Sequence, residues 1–157
     1  MLLVVQVTSL VVSLLRDSQV EVREMASSSV AVLVRIKGDD LALSLQDTFY
    51  EWACEAIPKR LTGVEASASL QLRHAGVLGL AALIASHPYD VPAWMPAILV
   101  KLASHIGEPM PIKQTVKNTF GEFWRTHQDA WTLHKDSFDE DQLVALTNLL
   151  VSPTYFS

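Results

Sequence analysis

The sequence predicts an all-α fold in which paired antiparallel helices stack side by side as an α-solenoid. Three observations predict it. Apolar residues recur at helical spacing along most of the chain, and no segment alternates with the period of two that a strand requires. Turn signals built on glycine and proline divide the 157 residues into seven helix-sized pieces, at about 1–16, 19–36, 39–57, 68–87, 91–106, 111–126 and 138–151. Hydrophobic residues make up 50% of the chain and charged ones 18%, and the mean hydropathy is +0.25. That is too apolar for a domain with a complete polar coat, but it suits repeats that bury their faces against one another.

The first predicted helix contains the run "MLLVVQVTSLVVSLL" (1–15). Gln6, Thr8, Ser9 and Ser13 interrupt it and Arg16-Asp17 end it, so it falls short of the ~20 apolar residues that span a bilayer. It has neither a basic leading segment nor an Ala-x-Ala-like cleavage site, which argues against a signal peptide. The expectation is a helix buried on nearly every side, with a missing N-terminal neighbour, and hence prone to self-association when left uncovered.

Three of the predicted helices share one stripe. It reads Val22, Ala26, Val30, Leu33 in the second helix, Leu72, Gly76, Leu80, Leu83 in the fourth, and Ile112, Val116, Phe120, Phe123 in the sixth. Each steps +4, +4, +3 down one helix face. A basic residue follows each first position: Arg23, Arg73 and Lys113. The stripes begin 50 and then 40 residues apart, which brackets the ~40–47-residue period of HEAT repeats. The first unit is the clearest, with Leu14-Leu15, Asp17 at the turn, then Val22-Arg23 and Ala26. The later units are degenerate, since Ser67 and Gly107 stand where an aspartate would repeat. The domain reading is therefore HEAT/armadillo-like repeats over 1–151, about three degenerate pairs plus a terminal helix, followed by a tail at 152–157.

The connections have causes. The longest loop is expected from Pro58 to Ser67. Pro88 stops the fourth helix at His87. Asp90 is placed to cap the fifth, with Pro92 in its first turn. Ser137-Phe138-Asp139-Glu140 reads as a capping box for the last helix. There Leu143, Leu146 and Leu150 should face inward, with Asp139, Glu140, Asp141, Gln142 and Asn148 in water.

Composition also excludes function classes. The net charge is −5 and no basic run exceeds Pro58-Lys59-Arg60, so neither nucleic acid nor a membrane is an expected partner. Cys54 is the single cysteine. It permits no internal disulfide, fits a reducing compartment, and is expected to be buried beside Trp52. The histidines are His74, His87, His105, His127 and His134. No pair has a His-Glu-x-x-His setting, so surface or capping roles are expected and no metal site. Trp52, Trp94, Trp124 and Trp131 are assigned to packing. No phosphate loop, catalytic triad or cofactor motif is found, and the chain reads as a non-enzyme without a cofactor.

Ser152-Pro153 should end the last helix, which leaves Thr154, Tyr155, Phe156 and Ser157 with a free carboxylate. Two adjacent aromatics before a carboxylate suit capture of a chain terminus in a partner's pocket. A lysine there would pair with the carboxylate.

Several stretches carry a resemblance to a known family. They are "VEVREMA" (20–26), "RHAGVLGL" (73–80), "PYDVPAWMP" (88–96), "TVKNTF" (115–120), "RTHQDAW" (125–131) and "DQLVALTNLLVSP" (141–153). In this order they resemble the extreme C-terminal region of the large HEAT-repeat proteasome activators, the proteasome activator complex subunit 4 family. The resemblance implies a fragment of a much longer, non-catalytic solenoid that caps the 20S core particle of the proteasome without ATP. It implies that the last three residues enter a pocket of the outer ring and help to open the gate. The family motif there is hydrophobic, then tyrosine, then any residue. Tyr155, Phe156 and Ser157 occupy those places, so phenylalanine replaces the tyrosine. The resemblance also implies residence in cytoplasm and nucleus, and acetylated histones as a further partner. The residues oppose that partner: an acetyl-lysine reader uses an asparagine amide, and the only asparagines are Asn118 and Asn148. The alternative from the repeats alone is a general protein-binding adaptor.

Overall fold

The computed structural model describes residues 2–57 and 63–150. It contains two compact units, Met1–Leu83 and Ile84–Ser157. All regular elements among the described residues are helical, as the periodicity requires: α1 (Leu2–Leu14), α2 (Val20–Lys37), α3 (Asp39–Ala53), α4 (Val64–Ala85), α5 (Met95–Ala103), α6 (Ile112–His127), α7 (Trp131–His134) and α8 (Glu140–Leu150).

In the first unit α1 packs on α2, and α2 on α3. The turn between α1 and α2 is set by Asp17, whose carboxylate accepts the Gln19 N–H at 2.8 Å, an Asx turn. One residue, Gly38, separates α2 from α3. Its N–H closes α2 on Val34 O at 2.7 Å, and its φ of +89° and ψ of −169° lie in a region that only glycine adopts readily. The buried line of α2 is Arg23, Ala26, Val30, Ala31 and Val34. It is rotated slightly from the expected stripe, which leaves Val22 and Leu33 half-buried.

α4 lies unusually close to α3. A Cβ placed on Gly76 would stand 2.2 Å from the Ala53 nitrogen, and one on Gly79 would stand 2.4 Å from the Phe49 ring. The bare backbones leave room for Phe49, itself fully buried, against the helix. α4 is long and apolar enough to cross a membrane by composition, but 61% of its apolar window is buried within the fold, as in a core helix. It begins at Val64 rather than 68, since Gly63 O accepts the Ser67 N–H at 3.1 Å.

In the second unit α8 packs against α5 and α6. The expected α6 stripe is buried without exception: Ile112, Val116, Phe120 and Phe123. α5 starts later than its proline pattern implies. Trp94 is its N-cap residue and Pro96, not Pro92, lies in the first turn. Asp90 does not cap it and is paired with His87 instead, at 2.9 Å. The stretch from Gln128 to Ser137, a break by its sequence, forms two 3-10 turns around the short α7.

α1 is uncovered over much of its surface. It has no buried residue, and Leu2, Leu3, Val5, Val7, Leu10 and Leu14 are exposed. Only Leu15, at its end, is fully covered.

Candidate functional site

α8 is the element that leads into the C-terminal tail, and its start is fixed by a reciprocal cap. Asp139 Oδ1 accepts the Gln142 N–H at 2.7 Å, and Gln142 Oε1 accepts the Asp139 N–H at 3.0 Å. This is a capping box, two residues later than the Ser137–Glu140 pattern suggests. Phe138 and Leu143 then occupy the positions of a hydrophobic staple; Phe138 is buried and Leu143 half-buried. Glu140, Asp141 and Asn148 are exposed, and Leu146, Leu149 and Leu150 are buried. The helix is therefore held by its core face up to its last residue.

Beside the cap lies an aromatic cluster centred on Trp131. Its ring contacts Trp124 at 5.4 Å, Phe138 at 5.6 Å and Phe123 at 6.4 Å between centroids. His127 stacks on Phe123 at 4.1 Å. It is buried, and its Nε2 lies 2.8 Å from Asp90 O. Its Nδ1 lies 2.8 Å from Phe123 O, so each ring nitrogen faces a backbone carbonyl that can only accept. His134 meets the His127 ring edge at 5.0 Å. Its pKa is lowered, first by burial and then by the charge of His127.

A second arrangement involves two of the basic residues that follow the first position of a stripe, Arg23 and Arg73. Arg23 is buried. Its Nη1 donates to Asp17 O at 3.0 Å and Ser18 O at 3.1 Å, so it closes the turn that precedes its own helix. Its Nε donates to His74 Nδ1 at 3.2 Å. Burial beside that cation brings the His74 pKa down to about 4, and the ring is neutral at pH 7. Arg73 has a matching role on α4, where its Nε donates to Glu55 O at 2.8 Å, in the stretch after α3.

Several sequence expectations are corrected. His74, His105 and His127 are buried polar groups rather than surface residues. Each has carbonyl, carboxylate or guanidinium partners; His105 pairs with Glu108. Cys54 is exposed, not buried; the side chain that packs on Phe49 is that of nearby Trp52, at 5.9 Å. Among the described residues no group of three or more His, Cys, Asp or Glu side chains could hold a metal ion. The candidate docking residues Tyr155, Phe156 and Ser157 lie outside the described residues.

Comparison with known proteins connects this end of the chain to a family. Residues 70–157 match the profile described as "Proteasome activator complex subunit 4-like, C-terminal". The chain is 44% identical over 155 residues to human proteasome activator complex subunit 4, which covers 94% of this chain and 8% of that protein. It is 44% identical over 146 residues to proteasome activator subunit 4 of Arabidopsis thaliana, or 92% of this chain and 8% of the relative. Similarity extends at 35% identity over 79 residues, 49% of this chain and 4% of the relative, to the yeast proteasome activator BLM10. The chain thus spans less than a tenth of the length of these relatives. By the profile match and by the identity across nearly its whole length, it belongs to the proteasome activator complex subunit 4-like family.

Proposed function

We propose that this chain acts as the C-terminal, proteasome-docking region of an activator that caps the 20S core particle. In this reading Tyr155 and Phe156 fill apolar sub-pockets between subunits of the outer ring, and the Ser157 carboxylate pairs with a lysine there. Docking helps to open the gate, requires no ATP and makes no covalent chemistry. It operates in cytoplasm and nucleus, wherever core particles are found.

The observation that carries the reading is the family match, which runs through Ser157. The helix before the tail supports it physically. α8 is capped at its start and buried at its last turn, so the helix before the tail is held in place. A tethered short segment pays less to dock than a free peptide, because the effective concentration at its pocket is set by the anchor. Pro153 restricts the segment further before it docks. Phe156 keeps the apolar contact of a tyrosine and lacks its hydroxyl, a loss of ~0.5–1.5 kcal/mol if that group was bonded.

The test compares peptide hydrolysis by core particles in the presence of the full-length activator carrying this C-terminal region, with and without its last three residues. Loss of stimulation on truncation supports the reading; unchanged stimulation contradicts it.

A further inference from the structure

We propose that the exposed face of α8, centred on Val144 and Asn148, is a second contact with the outer ring of the core particle and sets the tail over its pocket. The proposal rests on the docking of Tyr155, Phe156 and Ser157 put forward above. Four residues, 151–154, lie between α8 and those three. An extended chain covers at most ~3.6 Å per residue, so a docked Tyr155 holds Leu150 within roughly 18 Å of it. Asn148 and Val144 precede Leu150 by two and six residues, which is about 3 and 9 Å along a helix. A further helix laid between this end of α8 and the ring would be about 10–12 Å across with its side chains. It would take up more than half of the reach before the tail entered the pocket. The short connection therefore favours the ring itself, over any other segment, as the surface that meets this face.

The composition of the face suits such a contact. α8 packs on α5 and α6 with Leu146, Leu149 and Leu150 buried. On its outward side Val144 is 76% exposed, and Asn148 stands one turn on, with Thr147 beside it, both exposed. The acids Glu140 and Asp141 lie at the start of the helix, and no charged residue follows them up to Leu150. The part of the face nearest the tail can thus be covered without stripping water from a charge. Thr147 Oγ1 donates to Leu143 O at 2.7 Å, so its bond is made within the helix. Asn148 offers an amide that both donates and accepts. Val144 supplies the apolar centre and Asn148 the directional bond. Two points of contact fix the direction in which the tail leaves α8, and so raise its effective concentration at the pocket.

The test uses the full-length activator carrying this C-terminal region, mixed with core particles. Benzoylphenylalanine incorporated at position 144 or 148 should, on irradiation, join the activator to an outer-ring subunit. Val144→Glu with Asn148→Glu should raise the activator concentration for half-maximal peptide hydrolysis about tenfold. Stimulation at saturation and far-ultraviolet helicity should be unchanged. Crosslinks confined to the activator's own chain overturn the proposal. So does an unchanged half-maximal concentration in the double variant while deletion of the last three residues abolishes stimulation, a result that leaves tail docking standing. Unchanged stimulation on that deletion instead overturns tail docking, and this contact with it.

Discussion

The Arg23 guanidinium donates to Nδ1 of His74 at 3.2 Å, inside the first unit, with both side chains almost wholly out of water. A buried cation beside an imidazole is tolerable only while the ring stays neutral and accepts. Arg23 also holds two turn carbonyls, so one side chain ties the α1–α2 turn, α2 and α4 together. Removing it takes one donor from the buried His74 ring and the shared donor from two part-buried turn carbonyls. Arg23→Ala should cost about 1–3 kcal/mol of unfolding free energy in urea titrations. Arg23→Lys should recover little of it, because a single ammonium cannot reproduce the planar fork.

The same pair gives stability a pH dependence. His74 titrates near 6.5 in the unfolded chain and near about 4 in the fold. Between those values the unfolded chain holds the extra proton. Stability should therefore be complete above pH 6.5, fall as the pH drops toward 4, and change no further from this group below that. The full effect is on the order of 3 kcal/mol. Unfolding measured at pH 7 and pH 4.5 should show the decline in the wild type. His74→Gln should flatten it.

The glycines of α4 should be sensitive for a steric reason. Gly76→Ala would drive a methyl group into the Ala53 backbone and Gly79→Ala into the Phe49 ring. Each should destabilise by about 1–3 kcal/mol or more, despite the better helix propensity of alanine. Gly38→Ala meets no atom within 4 Å but requires a backbone conformation that only glycine adopts readily, and should cost about 1–3 kcal/mol. Thermal unfolding of the three variants separates the two causes, since a larger side chain at 76 should worsen the defect far more than at 38.

The cap of α8 predicts a local effect. Asp139→Ala removes the acceptor for the Gln142 N–H and should cost about 1 kcal/mol. Hydrogen exchange should show faster opening of the first turn of α8, with the buried line Leu146, Leu149 and Leu150 keeping its protection.

Much of the fold is legible from spacing alone. The α6 stripe is buried residue for residue, and the basic residue after the first position of each stripe has a structural task in two of the three helices. Spacing does not reveal the partner of each polar group. Histidine is ambiguous in sequence, and the burial of His74 depends on an arginine 51 residues away. Sequence places Cys54 in the core beside Trp52, but α3 ends at Ala53, which turns the next side chain outward. The start of α5 is hard to read because two prolines and an aspartate offer two plausible starts, and His87 claims the aspartate. The capping box is displaced by two residues because Ser137 and Asp139 are both acceptable caps. Asp139 has the glutamine three residues on that can reciprocate. For the candidate site, sequence names the docking residues proposed above, and the cap and buried face of α8 describe the helix that precedes them.

The most direct measurement of the central claim is binding of core particles to the immobilised chain, with and without Tyr155, Phe156 and Ser157. The proposed function predicts that the intact chain retains core particles, that removal of the three residues abolishes retention while helicity is unchanged, and that one residue added after Ser157 weakens it. Equal retention by the intact and truncated chains would contradict it.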